Sequence, residues 1–245
     1  MQAIFEKTFT IRSTEVDADS NCRPSAILGF FQELATDHAE DLGITRDYLV
    51  ENYHAVWLLS RVWMRLDRPL KMGETITVRT WHRGAEKLFM YRDFDILSQG
   101  NVVGEGVSAW IVADLADRKM LRPSSVERIV DSPFPAEKRK SLQLKSLHRP
   151  GALEDVYEKT VRWSDVDLNG HMNNTKYADA AMDAFSPAEL RGRFLSEMYL
   201  NYTLECRPGE TITVSRAETE EGFFVEGTGG GSRRFDSLLK FSSEP

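Results

Sequence analysis

Residues 62–80 read VWMRLDRPLKMGETITVRT, and residues 198–216 read MYLNYTLECRPGETITVSR. Both contain the hexapeptide GETITV, at Gly73–Val78 and again at Gly209–Val214, 136 positions on. In each copy a β-type run enters a charged turn, the Gly-Glu pair makes a tight connection, and Thr-Ile-Thr-Val opens the next strand. The repeat divides the chain into two related halves.

A second match lies upstream of each hexapeptide. EVDADSN at 15–21 aligns with DVDLNGH at 165–171, at an offset of 150. Asp17 then corresponds to Asp167, Asp19 to Asn169, and Asn21 to His171. Each copy leads into a helical pattern. In the first, Ile27, Leu28, Phe31, Leu34, Ala35, His38, Ala39 and Leu42 recur at helix spacing, with Gly43 as the stop. In the second, Tyr177, Ala180, Ala181, Ala184 and Phe185 make a thinner stripe ending before Pro187. Several β-type runs follow each helix. Short strands at hairpin spacing predict an α+β chain in which an antiparallel sheet buries one face against a single helix, twice. Two such units side by side would continue each other's sheet as a pseudo-dimer with cavities between the halves. The expected boundaries are an N-terminal unit at 1–130, a linker at 131–154 and a C-terminal unit at 155–245.

Composition excludes several function classes. The net charge of −7 lacks the basic footprint of a general nucleic-acid binder. Two cysteines, Cys22 and Cys206, cannot build a disulfide framework or a Cys-rich metal site, and reduced thiols are expected. The start, MQAIFEKTFTIR, has charges at residues 6 and 7 and no apolar core of a signal peptide. No run approaches the length of a membrane span. A cytoplasmic protein is the expectation. There is no Walker A loop, no dinucleotide fingerprint, no HExxH and no GxSxG elbow, so no cofactor or metal is expected. GTGGG at 227–231 reads as a hairpin. In the linker, Lys138, Arg139, Lys140, Lys145 and Arg149 are either a solvated stretch or a docking surface for an acidic protein.

The two copies differ where chemistry would sit. Asn21 stands opposite His171, and Pro69 opposite Glu205, so only the second copy holds Asp167, Asn169, His171 and Glu205 together. A His at a helix start moves protons near neutral pH, a carboxylate fixes its tautomer, and an Asn amide donates to a developing oxyanion. Glu205, if buried near His171, would suit a base for water. Cys206 opens a competing Cys-His-Asn reading with a sulfur nucleophile. Adjacent residues on a regular strand face opposite ways, so only one of Glu205 and Cys206 would point at His171. Asp165 reads as a turn or capping residue, Asn173 or Asn174 as the helix cap, and Trp163 as core or cavity wall.

RWSDVDLNGHMNNTKY, Arg162 to Tyr177, backed by Leu204-Glu205-Cys206 and by the repeat, resembles the acyl-acyl carrier protein thioesterases in their bacterial form. The resemblance covers nearly the whole chain. It implies a tandem hotdog fold and hydrolysis of the thioester of acyl-acyl carrier protein to free fatty acid. By position, the family's catalytic set falls on Asp167, Asn169, His171 and Glu205, and Cys206 matches the cysteine of the older papain-like scheme. The resemblance gives Glu205 and His171 the activation of water, with Asn169 and Asp167 in support. Direct attack and a transient anhydride on Glu205 both stay open. It places the acyl chain in the N-terminal hotdog, where Trp57, Leu59 and Trp63 are candidates to limit its length, and it makes acyl carrier protein the partner of a monomer or homodimer. An acyl-CoA thioesterase would use the same residues; a double-hotdog dehydratase and a non-catalytic acyl-binding or carrier-docking protein are the other readings.

Overall fold

The computed structural model describes residues 1–135, 142 and 144–244. The chain forms two compact units. Met1–Thr10, Gly29–Val62 and Glu74–Leu144 make the first; Ile11–Leu28, Trp63–Gly73 and Lys145–Pro245 make the second. A helix, α1 (Pro24–Asp41), and a strand, β2 (Ala55–Leu66), therefore each run from one unit's residues into the other's.

In the first unit the strands are β1 (Phe5–Thr10), β2, β3 (Thr75–Glu86), β4 (Phe89–Ser98), β5 (Asn101–Asp114) and the short β6 (Met120–Leu121) beside β5. Their order is β1-β3-β4-β5-β2. The helix α1 ends before Gly43, whose positive φ of 66° lets the chain leave the helix. Phe31 stacks on Phe94 of β4 at 4.1 Å between ring centroids, and Phe30 stacks on Phe9 of β1. A second helix, α2 (Arg46–Tyr53), is capped by Thr45, whose side chain accepts the Tyr48 N–H. Leu42, Ile44 and Leu49 pack with Ala55, Met90, Val112 and Ile129, the last from α3 (Glu127–Asp131).

That unit also buries charge. Arg83 binds Asp93 through Nε and Nη2, the closest contact 2.6 Å, with both side chains almost wholly enclosed. Beside them Arg92 Nη1 donates to His38 Nδ1 at 2.8 Å, and the His38 Nε2–H donates to the Gln2 carbonyl. His82 accepts the Gly84 N–H at Nδ1 and donates from Nε2 to Ser132 Oγ, whose hydroxyl is given to the Ile129 carbonyl. Both imidazoles are thus set as neutral tautomers. Burial, with the Arg92 charge adding to it, brings His38 down to about 4 and His82 to about 3.

The second unit repeats the plan with β7 (Glu154–Thr160), α4 (Asn174–Met182), α5 (Pro187–Leu190), β8 (Arg193–Tyr202), β9 (Thr211–Thr219), β10 (Gly222–Gly229) and β11 (Ser232–Ser243). The order β7-β9-β10-β11-β8 is the first unit's order under the expected alignment, and its neighbours pair antiparallel. GTGGG closes the β10–β11 hairpin, with Gly230 and Gly231 at positive φ. On α4, Tyr177 meets Phe235 of β11 edge-on at 5.6 Å. This helix stops three residues short of the end of its stripe, because the chain turns after Met182 and restarts at Ser186, which caps α5; Ala184 and Phe185 stay buried in that turn. Each unit is one helix laid on a curved antiparallel sheet, the tandem hotdog fold that the resemblance implies.

Candidate active site

The segment Arg162–Asn173 folds through local bonds that its own residues dictate. Asp165 Oδ2 accepts the Arg162 N–H at 2.8 Å, closing a single 3-10 turn at Trp163–Asp165. Partial burial works against the Asp165 anion, yet the Arg162 amide and the Lys159 ammonium, 3.0 Å away, hold its pKa below the usual carboxylate value. Val166 then pairs with Met172 as an isolated antiparallel bridge. Inside it the Asp167 N–H donates to the His171 carbonyl at 3.0 Å and the Gly170 N–H to the Asp167 carbonyl at 3.0 Å. Asp167 Oδ1 takes the Asn169 N–H at 2.8 Å, an Asx-turn. Asn173 caps α4, its Oδ1 accepting the Thr175 N–H. His171 is thereby delivered two residues before the cap of α4.

Glu205 arrives from another direction. Strand β8 stops at Tyr202, because the Thr203 and Leu204 amides both turn to the Arg234 carbonyl and leave the ladder. The β-type run EMYLNYTLEC at 197–206 predicts a strand through Cys206; the structure ends it four residues sooner. Three bonds then hold the loop. Arg234 Nη1 donates to the Glu205 carbonyl at 3.1 Å, the Cys206 N–H donates to the Tyr177 hydroxyl at 3.0 Å, and the Met172 N–H donates to the Cys206 carbonyl at 2.9 Å. The outcome is a contact of 3.2 Å between His171 Nε2 and Glu205 Oε2. Glu205 is not buried, as its side chain is 40% exposed, so water reaches the carboxylate directly. Cys206 faces the other way into the core, and burial pushes its thiol pKa up.

The first copy keeps the scaffold and loses the dyad. Asp17 N–H to Asn21 O, Asp19 N–H to Asp17 Oδ1, and Cys22 N–H to Leu70 O, at 2.9, 2.9 and 2.7 Å, repeat the second copy's bonds one for one. Gly73 and Gly209 both sit at positive φ, 81° and 84°, and donate to Ile11 O and Val161 O. Where His171 meets Glu205, however, Asn21 Nδ2 meets Glu244 Oε1 at 2.7 Å, and Lys71 pairs with the other carboxylate oxygen at 3.1 Å. These two partners hold the Glu244 pKa below the usual carboxylate value.

A profile described as the acyl-ACP thioesterase N-terminal domain matches residues 2–128, and one described as the C-terminal domain matches residues 152–228. The chain belongs to the acyl-ACP thioesterase family. It is 27% identical to a chloroplastic acyl-[acyl-carrier-protein] hydrolase from Cuphea viscosissima over 83% of this chain and 52% of that one. The crystal structure of an acyl-ACP thioesterase from Bacteroides thetaiotaomicron is 27% identical, covers 98% of both chains and superposes with a TM-score of 0.81. The 12:0-ACP thioesterase from Umbellularia californica, 22% identical, shares the fold at a TM-score of 0.81, covering 100% of this chain and 99% of that one. The chain spans between half and three-fifths of the length of the first curated relatives it matches.

Several residues of this family member sit elsewhere than expected. Trp163, read as core or cavity wall, is 92% exposed, on the 3-10 turn that Asp165 closes. Asp167 has its carboxylate on the Asn169 amide, and its link to His171 runs through backbone. Trp57, Leu59 and Trp63 alternate along one face of β2, half-buried; Trp57 Nε1 donates to the Ile44 carbonyl and Trp63 Nε1 to Glu197 at 2.7 Å. Of the linker cations, Lys138, Arg139 and Lys140 lie outside the described residues. Arg149 forks onto both carboxylate oxygens of Glu226, and Lys145 is exposed. Among the described residues no group of three His, Cys, Asp or Glu side chains is arranged to hold a metal ion. Tyr177 and Arg234 hold the Glu205 loop without any sequence signal that marks them as site residues. Tyr177 reads there only as part of an apolar stripe, and Arg234 has no local signal at all.

Proposed function

We propose that this chain hydrolyses fatty acyl thioesters carried on acyl carrier protein, releasing the free acid and the carrier's thiol. The observation that carries the reading is the 3.2 Å contact between His171 and Glu205 at a water-accessible carboxylate. The His171 Nε2–H holds one oxygen of Glu205, and the carboxylate takes a proton from water as that water attacks the thioester carbonyl. The Asn169 carboxamide, unbonded among the described residues, donates to the oxyanion that forms. As the C–S bond breaks, the proton held by the dyad passes to the leaving thiolate. Asp167 is a positioning residue: its carboxylate sets the turn that presents His171. The burial of Cys206 argues against sulfur as the nucleophile. Direct attack by water fits the exposure of Glu205 better than an anhydride.

The names of the relatives support carrier-protein esters as the substrate, and the likeness to the Bacteroides structure supports the bacterial form of the family, taken here with a cytoplasmic location. In this reading residues 1–130 hold the acyl chain, Trp57, Leu59 and Trp63 limit its length, Lys145 and Arg149 contribute to carrier contact, and no cofactor takes part. Rates of thiol release on one acyl group, presented on carrier protein and on coenzyme A, test it. Higher kcat/KM on the carrier, abolished in Glu205→Ala, is the expected result. Preference for coenzyme A would make this an acyl-CoA hydrolase, and a fully active Glu205→Ala would end the dyad.

A further inference from the structure

The catalytic loop displays large apolar side chains to solvent. Trp163 is 92% exposed and Leu168 86%, and Leu204, next to Glu205, is 48% exposed. Single exposed apolar residues need no explanation, but three around one dyad do. The duplication supplies an internal control. The corresponding first-copy residues are Ser13, Ala18 and Arg68, none of them a large apolar side chain. At these three positions the copy that kept His171 and Glu205 is the more apolar one.

Charge follows the same asymmetry. Lys71 of the first copy is neutralised by Glu244, whereas its counterpart Arg207 has no carboxylate partner among the described residues. Arg162, beside Trp163, is likewise exposed and unpaired among them. A chain of net charge −7 thus keeps two open guanidinium groups flanking an apolar rim. An aromatic anchor with arginines at its edge is the make-up of a protein contact surface. The turn that carries Trp163 is pinned by Asp165 to the Arg162 amide and to Lys159, so the indole is presented with little ordering left to lose.

We infer that Trp163, Leu168 and Leu204, with Arg162 and Arg207, form the surface on which the acidic acyl-carrying protein seats while its thiol arm reaches the His171–Glu205 dyad. This rests on the proposed carrier-protein reading and extends it to named residues. The side chains are too exposed to enclose an acyl chain, and the arginines match an acidic partner better than a second copy of this acidic chain.

Trp163→Ser and Leu168→Ala restore the first copy's residues and lie outside the catalytic set. Three quantities are measured for each: affinity for unacylated holo acyl carrier protein, steady-state hydrolysis of the acyl-carrier, and hydrolysis of the same acyl group on N-acetylcysteamine. The expected result is on the order of tenfold weaker carrier binding and a matching rise in KM on acyl-carrier. The kcat, the rate on the small thioester and the melting temperature stay at the wild-type values. Equal losses on both substrates, or no loss on either, would overturn the inference. So would sedimentation showing that the wild type self-associates and Trp163→Ser does not. The binding arm needs no turnover. Carrier affinity lost in Trp163→Ser in a protein that hydrolyses nothing would leave the docking surface standing and end the proposed activity.

Discussion

The amide of Met172 donates to the carbonyl of Cys206 at 2.9 Å, and this one backbone bond ties the residue after His171 to the residue after Glu205. The first copy makes the same bond from Cys22 to Leu70 at 2.7 Å with no dyad beside it. The clamp belongs to the fold; the imidazole–carboxylate contact is set on it in the second copy.

Glu205→Gln keeps the shape of the side chain and removes the proposed base. The expected loss in kcat on acyl-carrier is on the order of 10²- to 10⁴-fold with KM little changed. Because the pair is partly exposed, stability should move by no more than about 0.5 kcal/mol. Stopped thiol release together with an unaltered denaturation midpoint is the signature; an active Glu205→Gln would return the base to another residue.

Cys206→Ala separates the two nucleophile readings. The thiol is buried, its pKa is raised, and its side chain faces away from His171, so the folded variant should turn over near the wild-type rate. The cost appears as roughly 1 kcal/mol of stability from the small cavity left in the core. Single-turnover kinetics on soluble Cys206→Ala decide it, and loss of the chemical step would reinstate sulfur.

Acid sensitivity above the carboxylate range follows from His38 and His82. Their folded pKa values, about 4 and about 3, lie below the 6.5 of an unfolded histidine. Between those limits the unfolded chain binds more protons than the folded one, so stability rises with pH. The full contribution is present above about pH 6.5 and drains as pH falls through 6 and 5. The depressed carboxylates Asp165, Glu189 and Glu244 act in the same direction, but below their ordinary values near 4. Urea midpoints at pH 7.5, 6 and 5 should therefore decline already across the upper window, and the slope there should flatten in His82→Gln.

Asp93→Asn takes from the enclosed Arg83 the carboxylate that it binds at 2.6 Å. Breaking one side of a buried pair costs about 3–5 kcal/mol. In a chain of this size that is roughly 6–20 °C in melting temperature. Arg83→Met/Asp93→Asn should recover part of the loss, since it removes the enclosed guanidinium as well. Calorimetry on the two variants checks both statements.

Much of this was readable from residues near one another in sequence. The Asp167 and Asp17 turns, the positive φ of Gly73 and Gly209, the Asn173 cap and the hairpin at Gly230 all depend on side chains within a few positions, so their types declare them. Aligning the copies also showed which one kept an imidazole and a carboxylate. Tyr177, Arg234 and Glu244 escaped notice because each acts across 29, 29 and 223 positions on its partner, where no spacing rule applies.

The amino-acid order alone therefore settled that this is a duplicated helix-on-sheet chain of the acyl-ACP thioesterase family, and which turn bears His171, because turns and strand periods are decided by neighbours along the chain. Tertiary structure alone decided that Glu205 reaches His171 at 3.2 Å, that Cys206 turns inward, that Trp163 stands in water and that Glu244 fills the first copy's place. Those outcomes depend on where strands end and which distant loops a register brings together, and no local preference encodes either.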